Sequence, residues 1–266
     1  MRLGFIGAGE ITSSIVTGLR SSGAATHAIR LSPRNPTIAS ELARRFDAIS
    51  VASTNQEVLD HSDTIVIAVR PLAAREVLSE LRFHPDHRVI SLVSALSLRS
   101  LSALVAPAAR IARAVPLPST AKRLSPTAVY PRDEVALELF AAIGTVFPVE
   151  SENEFEAFCA ATATIASYFA FNETIASWLE RQSVPAPLAR EYVARLFFGV
   201  TSGAMDAPAH SFKSLAATHA TAGGINEQIL ERLVAQGLMT GVSEALDAVL
   251  YRIGTERQSR DRGRTV

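Results

Sequence analysis

Leu3-Gly4-Phe5-Ile6-Gly7-Ala8-Gly9-Glu10-Ile11-Thr12 decides the fold. Leu3 to Gly7 is a short apolar strand, and Glu10 to Ser21 reads as a helix. Between them stand two glycines. The first makes the tight turn. The second lets a pyrophosphate approach the backbone, where the helix N-terminus offers N–H groups and the positive end of its dipole. The third position of this motif usually holds Gly or Ala for helix–strand packing, and here it is the larger Thr12. Glu10 is unusual, because a carboxylate beside phosphates repels them; it is expected to turn to solvent or cap the helix. Gly7, Ala8, Gly9, Glu10, Ile11 and Thr12 are assigned to a dinucleotide. The competing reading is a purely structural strand-to-helix turn.

Outward from this motif, strands and helices alternate up to residue 150. Further strands are expected at Ala28–Ser32, Ser50–Val51, Thr64–Val69, Arg88–Leu92, Arg110–Ala114, Thr127–Tyr130 and Thr145–Val149. Helices of about ten residues between strands argue for a parallel sheet wound on both faces. The expected fold is an α/β Rossmann-type doubly wound parallel sheet in residues 1–150, followed by an all-α domain in 151–254. Helical runs there are Glu152–Gln182, Leu188–Met205, Phe212–Ala217 and Asn226–Ile253. The polar, aperiodic stretch 255–266 is expected to be a disordered tail.

The second strand selects the cofactor. An NAD site places Asp or Glu at its end, on the ribose 2′-OH. Here the residues are Ser32-Pro33-Arg34-Asn35, with no acid. Arg34 is suited to fork onto a 2′-phosphate, with Ser32 and Asn35 as further donors. NADP(H) is therefore favoured over NAD. Asn55, after the third strand, and Ala68-Val69-Arg70-Pro71, after the fourth, belong to the carboxyl edge of the sheet, where the ligand crevice lies.

These landmarks resemble pyrroline-5-carboxylate reductase: LGFIGAG at 3–9, SPRN at 32–35, TNQE at 54–57 and VIAVRP at 66–71. Arg113-Ala114-Val115-Pro116, the run from Phe155 to Tyr168, and Thr221-Ala222-Gly223-Gly224 align with later landmarks. The resemblance covers residues 1 to 253. It implies NAD(P)H-dependent reduction of a cyclic imine to proline, and a helical domain that dimerises. Three landmarks differ. The family's Met-Pro-Asn is here Val115-Pro116-Leu117. Its Gly-Ser-Gly-Pro-Ala-Tyr is Ala163-Thr164-Ile165-Ala166-Ser167-Tyr168, with Thr164 keeping a hydroxyl. Its Ser-Pro-Gly-Gly-Thr-Thr is Thr221-Ala222-Gly223-Gly224-Ile225-Asn226. The cofactor half is thus kept better than the substrate half.

The substrate end has its own physical logic. Two glycines before a helix starting near Asn226 expose backbone N–H groups suited to a carboxylate. Asn226 is also a good N-cap residue. A capped turn with no ligand is the plainer reading. Thr221, Gly223, Gly224 and Asn226 are the candidate substrate residues. Thr164 and Asn226 are the candidate catalytic ones, Thr164 being supplied across a dimer interface. An iminium is already electrophilic, so its reduction needs orientation more than a strong acid. The β-hydroxyacid dehydrogenases share the two-domain plan but place a lysine three residues before an asparagine. Asn172 is present here, and Phe169 stands where that lysine would. His219, just before the glycines, is a possible proton donor or a histidine satisfied by the helix end.

Composition narrows the rest. The 266 residues carry 26 Lys+Arg and 26 Asp+Glu, so no basic excess points to nucleic acid. Only Lys122 and Lys213 are lysines, and Cys159 is the single cysteine. A disulfide within the chain and a cysteine-built metal site are excluded, and no metal is expected. No membrane span is expected, and the cytoplasm is the expected compartment. The partners expected are a small carboxylate imine and a second copy of the chain, as a homodimer or higher assembly through the helical domain. Two other functions fit the same residues: reduction or dehydrogenation of another imine or a 2-oxo/2-hydroxy acid, and a catalytically silent NADP-binding protein.

Overall fold

The computed structural model describes residues 1–23 and 27–262, residues 256–262 as backbone alone. Among the described residues, eight strands form one sheet: β1 (Arg2–Ile6), β2 (Ala28–Leu31), β3 (Ile49–Val51), β4 (Thr64–Ile67), β5 (Arg88–Ser91), β6 (Arg110–Val115), β7 (Ser125–Tyr130) and β8 (Gly144–Pro148). Their order is β3-β2-β1-β4-β5-β6-β7-β8. Between them run α1 (Glu10–Ser21), α2 (Pro36–Arg45), α3 (Asn55–Asp60), α4 (Pro71–Ser79), α5 (Leu98–Leu104) and α6 (Glu134–Ala141).

Neighbouring residues of a strand face opposite sides of the sheet, so a strand of continuous Val, Ile and Leu must be covered on both. Leu3, Phe5, Val66 and Ile90 pack with Ile15 and Val16 of α1, Leu42 of α2 and Phe140 of α6. Ile6, Ile65, Ile67 and Val89 pack with Leu59 of α3, Val77 of α4 and Leu101 of α5. Each fully buried side chain of this kind contributes roughly 1.5–3 kcal/mol, so the two-sided pattern holds the sheet.

Two strands, β7 and β8, depart from the expected parallel arrangement by running opposite to β1–β6. β7 runs antiparallel to β6, while β7 and β8 are parallel. The chain joins β6 to β7 through a single 3-10 turn at Pro118–Lys122. A parallel return needs a crossover of about a dozen residues. None is available, so the chain doubles back.

The chain divides into two units, Met1–Cys159 with Leu250–Val266, and Ala160–Val249. The division falls inside α7 (Glu152–Thr162), not at residue 150. The reason is that Phe155 and Cys159 of this helix are buried against Ala128 and Val149 of the sheet unit.

The second unit holds α8 (Thr164–Arg181), α9 (Ala186–Asp206), α10 (Phe212–His219), α11 (Ile225–Ala235) and the first part of α12 (Leu238–Arg262), up to Val249. The helix expected over 152–182 is broken at Ala163. There the backbone tightens, with Ala163 N–H donating to the Ala160 carbonyl at 3.0 Å and the Thr164 hydroxyl to the Ala161 carbonyl at 2.8 Å. The run expected over 226–253 breaks at Gly237, whose φ of +78° suits a helix end. The tail expected to be disordered is helical to Arg262, because the stretch lacks proline and is rich in the good helix formers Arg, Glu and Gln; residues 263–266 lie outside the described ones. Among the described residues, no single helix is long and apolar enough to cross a membrane.

The run 155–179 is strongly apolar, and a helix that apolar needs neighbours or a second subunit to cover it. Within this one chain, Tyr168, Phe169 and Trp178 are exposed, and so are Phe198, Met205 and Phe212. Periodicity reports that a face needs cover, and not which chain supplies it.

Candidate active site

The site begins at the turn between β1 and α1. Gly7 has a φ of +106°, and a Cβ placed there meets the Ala68 carbonyl oxygen of the β4 edge at 2.5 Å. No other residue fits. The Gly7 N–H donates to Ser32 Oγ at 2.9 Å, and its carbonyl accepts the Thr12 hydroxyl at 2.6 Å. Thr12 therefore solves the crowding at the third position by tying its hydroxyl back into the turn. Thr12 and Ser32 are both wholly buried. Their side chains brace the turn from within, Ser32 holding the Gly7 N–H and Thr12 the Gly7 carbonyl.

Gly9 is different, for a Cβ there meets nothing within 4 Å. It is the N-cap residue of α1 and supplies no side-chain cap. α2, α3, α5 and α6 are each capped by a side chain, from Asn35, Thr54, Ser97 and Asp133. α1 and α4 are not. Both begin at the carboxyl edge of the sheet, beside the β1–β4 switch in strand order, where the crevice of such sheets lies. Unfilled space at Gly9 and uncapped N–H groups fit a pyrophosphate, so the residues present suit a dinucleotide. Ala8 is buried, Ile11 packs against the core, and Glu10 is exposed on the first turn of α1 without capping it.

Arg34 is exposed at the end of β2, where an NAD enzyme would carry its acid. Asn35 caps α2, its Oδ1 accepting the Ile38 N–H at 3.4 Å, so this oxygen is already used. Asn55 opens α3 in a turn locked by Glu57, which accepts the Ser53 N–H at 2.7 Å and the Ser53 hydroxyl at 2.6 Å, and Arg30 at 2.5 Å. The Ser53 donors first, and then Arg30, hold the Glu57 carboxyl below its ordinary range.

Ala68 and Val69 are half-buried, whereas Arg70 and Pro71 are exposed at the uncapped start of α4. Arg70 and Pro71 line a cavity of about 720 Å³ with Ser94, Ala95 and Arg252. Sequence reading missed these last three. Ser94 and Ala95 follow the β5 strand RVIS, so the carboxyl-edge rule that found Arg70 also applies to them. Arg252 arrives from the far end of the chain, and no local signal marks it.

In the helical unit, the expected substrate residues do lie in one turn. Gly223 has a φ of +72°, and the Gly224 N–H donates to the Thr221 carbonyl at 2.8 Å. The cap of α11 is Gly224, not Asn226. Asn226 sits within the first turn, and its Nδ2 donates to the His219 carbonyl at 3.2 Å. It braces the loop because the helix starts one residue earlier than expected. The Gly223 N–H is taken by Glu227 Oε2 at 2.6 Å. Thr164 lies on a largely apolar cavity of about 780 Å³ with Tyr168, Phe171, Met239 and Leu246. His219 is exposed at the end of α10. Among the described residues there is no cluster of metal-binding side chains.

A family model described as NADP oxidoreductase, coenzyme F420-dependent, matches residues 2–95. The Pseudomonas aeruginosa pyrroline-5-carboxylate reductase is 24% identical over 263 residues, covering 94% of this chain and 95% of its own. The Streptococcus pyogenes 1-pyrroline-5-carboxylate reductase superposes with a TM-score of 0.84 at 24% identity, covering 96% of this chain and 98% of that one. From end to end, the likeness is to pyrroline-5-carboxylate reductases. The Plasmodium falciparum pyrroline carboxylate reductase, solved with NADP bound, has a TM-score of 0.82 at 18% identity over 96% of this chain and 98% of its own. The pyrroline-5-carboxylate reductase likeness thus includes both the strand order and the helices after it.

Proposed function

We propose that this chain is an NADPH-dependent reductase of a small, carboxylate-bearing cyclic imine, with 1-pyrroline-5-carboxylate the first substrate to try. The observation that carries the reading is the turn at Gly7–Gly9. It is braced from behind by Ser32 and Thr12 and open in front, where a Cβ on Gly9 would meet no protein atom. The full-length likeness to pyrroline-5-carboxylate reductases supports the substrate class.

When bound, the nicotinamide supplies a hydride. The chain's own residues hold and orient. The N–H groups opening α1 take the pyrophosphate, and Arg34 takes the 2′-phosphate. Arg70 and the start of α4 bound the crevice. The start of α11, which has no side-chain cap, offers its first N–H groups to the substrate carboxylate, beside the Gly223 N–H that Glu227 holds. A protonated imine is already electrophilic, so positioning supplies much of the rate. The absence of a strong acid among the proposed contacts is consistent with this.

We further propose a homodimer built through the helical unit. Phe198, Met205 and Phe212 are respectively 74%, 75% and 83% exposed in the single chain, large apolar side chains of the kind that a second copy covers. A cytoplasmic location is proposed with it, since the one cysteine, Cys159, is a buried free thiol. A second reading, reduction of an imine without a carboxylate, is favoured by Glu227 occupying the Gly223 N–H.

The test is NADPH oxidation against a panel of cyclic imines with and without a carboxylate, with NADH as control and sedimentation for the assembly. Turnover of 1-pyrroline-5-carboxylate is expected. NADPH binding with no turnover of any imine would replace this reading with a silent NADP-binding protein.

A further inference from the structure

Arg113 is a charged side chain shut inside the sheet unit, 1% exposed. It stands on β6. Its Nη1 donates to Glu152 Oε1 at 2.6 Å and its Nη2 to the Ser94 carbonyl at 2.8 Å. The guanidinium carbon lies 4.4 Å from the centre of the Phe155 ring. The same Glu152 oxygen accepts the Leu98 N–H at 2.6 Å. Nε is buried with no hydrogen-bond partner among the described residues.

Such a site is costly. Burial disfavours the charge, and Glu152 is the largest influence against that effect. A buried ion pair is weak evidence of a stabilising role, since apolar residues of similar size often serve as well. What the contacts share is location. Ser94 and Leu98 bracket the corner after β5, and Ser94 and Ala95 wall the cavity that Arg70 and Pro71 also line. The planar guanidinium fork reaches two acceptors at once, which a lysine ammonium on a flexible stem does not reproduce.

We propose that Arg113 is a positioning residue for the cofactor crevice, fixing the Ser94–Ala95 wall through its paired bonds to Ser94 and Glu152. This rests on the reading of that crevice as the NADPH site. Arg113 touches neither end of the reaction. Its effect passes through the Ser94 carbonyl on one side and, on the other, through Glu152 to the Leu98 N–H.

The test uses Arg113→Lys, Arg113→Met and Glu152→Gln. NADPH affinity is read by fluorescence, folding by thermal unfolding, and kcat and KM with 1-pyrroline-5-carboxylate. Arg113→Lys is expected to stay folded and to raise the Kd and KM for NADPH about ten-fold, with imine KM unchanged at saturating NADPH. Glu152→Gln keeps an oxygen for both Arg113 and Leu98 but removes the charge that offsets burial of the guanidinium, so it is expected to raise the Kd and KM for NADPH in the same direction as Arg113→Lys. If Arg113→Met does not fold, the other two variants carry the test. A folded Arg113→Lys with wild-type NADPH affinity and kinetics overturns the positioning role. Wild-type protein that fails to bind NADPH overturns the crevice reading itself, and the role with it.

Discussion

The carboxylate of Glu227 accepts the Gly223 N–H at 2.6 Å, at the turn where a substrate carboxylate is expected to bind. The acid comes from the third residue of α11 and reaches back over its own helix start to Gly223, the residue before the cap Gly224. A substrate carboxylate must therefore displace an internal one and then tolerate its charge nearby. A charge-assisted hydrogen bond of this kind is worth about 1.5–3 kcal/mol, and the exposure of the turn reduces that figure. Glu227→Ala is accordingly expected to lower KM for 1-pyrroline-5-carboxylate several-fold while leaving KM for 1-pyrroline, which has no carboxylate, unchanged. Steady-state kinetics with the two imines checks this. Equal changes for both substrates would remove Glu227 from the carboxylate's path.

Two glycines of one turn predict opposite phenotypes. At Gly7 an added methyl meets the Ala68 carbonyl oxygen at 2.5 Å on a backbone with φ of +106°. The left-handed conformation alone costs about 1–2 kcal/mol, and the clash adds to it, so Gly7→Ala should unfold at a markedly lower temperature. At Gly9 the methyl enters empty space. Gly9→Ala should change stability by less than about 1 kcal/mol and yet weaken NADPH at least about ten-fold, because the methyl takes the place of a phosphate oxygen. Thermal unfolding and NADPH titration of the two variants separate these outcomes. A Gly9→Ala protein that binds NADPH normally would move the pyrophosphate elsewhere.

The same turn shows what the residues alone made legible. Gly7 and Gly9 were readable because strand, glycine turn and helix follow within ten residues, and each step has a local cause. The intramolecular partners of the Thr12 and Ser32 hydroxyls were not readable. Both are polar residues in a phosphate motif, and only the fold brings Thr12 back to Gly7 and Ser32 across from β2. Direction was equally hidden in β7, where the loop length rather than the strand's own pattern decides antiparallel pairing. In the helical unit the helices were legible from periodicity. Their breaks at Ala163 and Gly237 were not, since alanine and threonine runs and a lone glycine occur inside helices as well. Arg113 was visible in the resemblance only as an aligned residue. Its partners Ser94 and Glu152 lie far from it in sequence.

His87 gives the fold a dependence on pH. Its Nδ1 accepts the His84 N–H at 2.9 Å, and its Nε2 lies 3.2 Å from the Leu59 carbonyl. The ring is therefore neutral with its proton on Nε2. A second proton would have to enter at Nδ1, where a donor already points. Burial, foremost, and the neighbouring His84 lower the pKa, against the pull of the Leu59 carbonyl, Asp60 and Asp63. The unfolded chain, with an ordinary value of about 6.5, binds the proton more readily than the folded one. Stability from this group is full above that value and is lost as the pH falls from it through the folded pKa. His27 is lowered by burial in the same sense, so the contribution of His87 must be read by difference. Wild-type Tm is expected to drop more steeply below about pH 6.5 than that of His87→Gln. Parallel Tm curves for the two proteins would show that His87 does not titrate on unfolding.

Arg34 is the residue on which the choice of cofactor turns. It is exposed at the end of β2, and Ser32 behind it is committed to the Gly7 N–H. Asn35 has its oxygen committed to capping α2. The 2′-phosphate contact therefore falls mainly on one guanidinium. Hydrogen bonds to a charged group are worth about 1.5–3 kcal/mol, or roughly ten- to hundred-fold in affinity. Arg34→Ala is expected to lower NADPH affinity by that factor and leave NADH unaffected, which lacks the phosphate. Arg34→Asp should go further, repelling NADPH while offering the acid that binds a free ribose 2′-OH, so its NADH affinity should rise. Titration of both cofactors into the three proteins decides the matter. Equal losses for NADPH and NADH in Arg34→Ala would mean that Arg34 serves the adenosine as a whole and that phosphate selection lies with another residue.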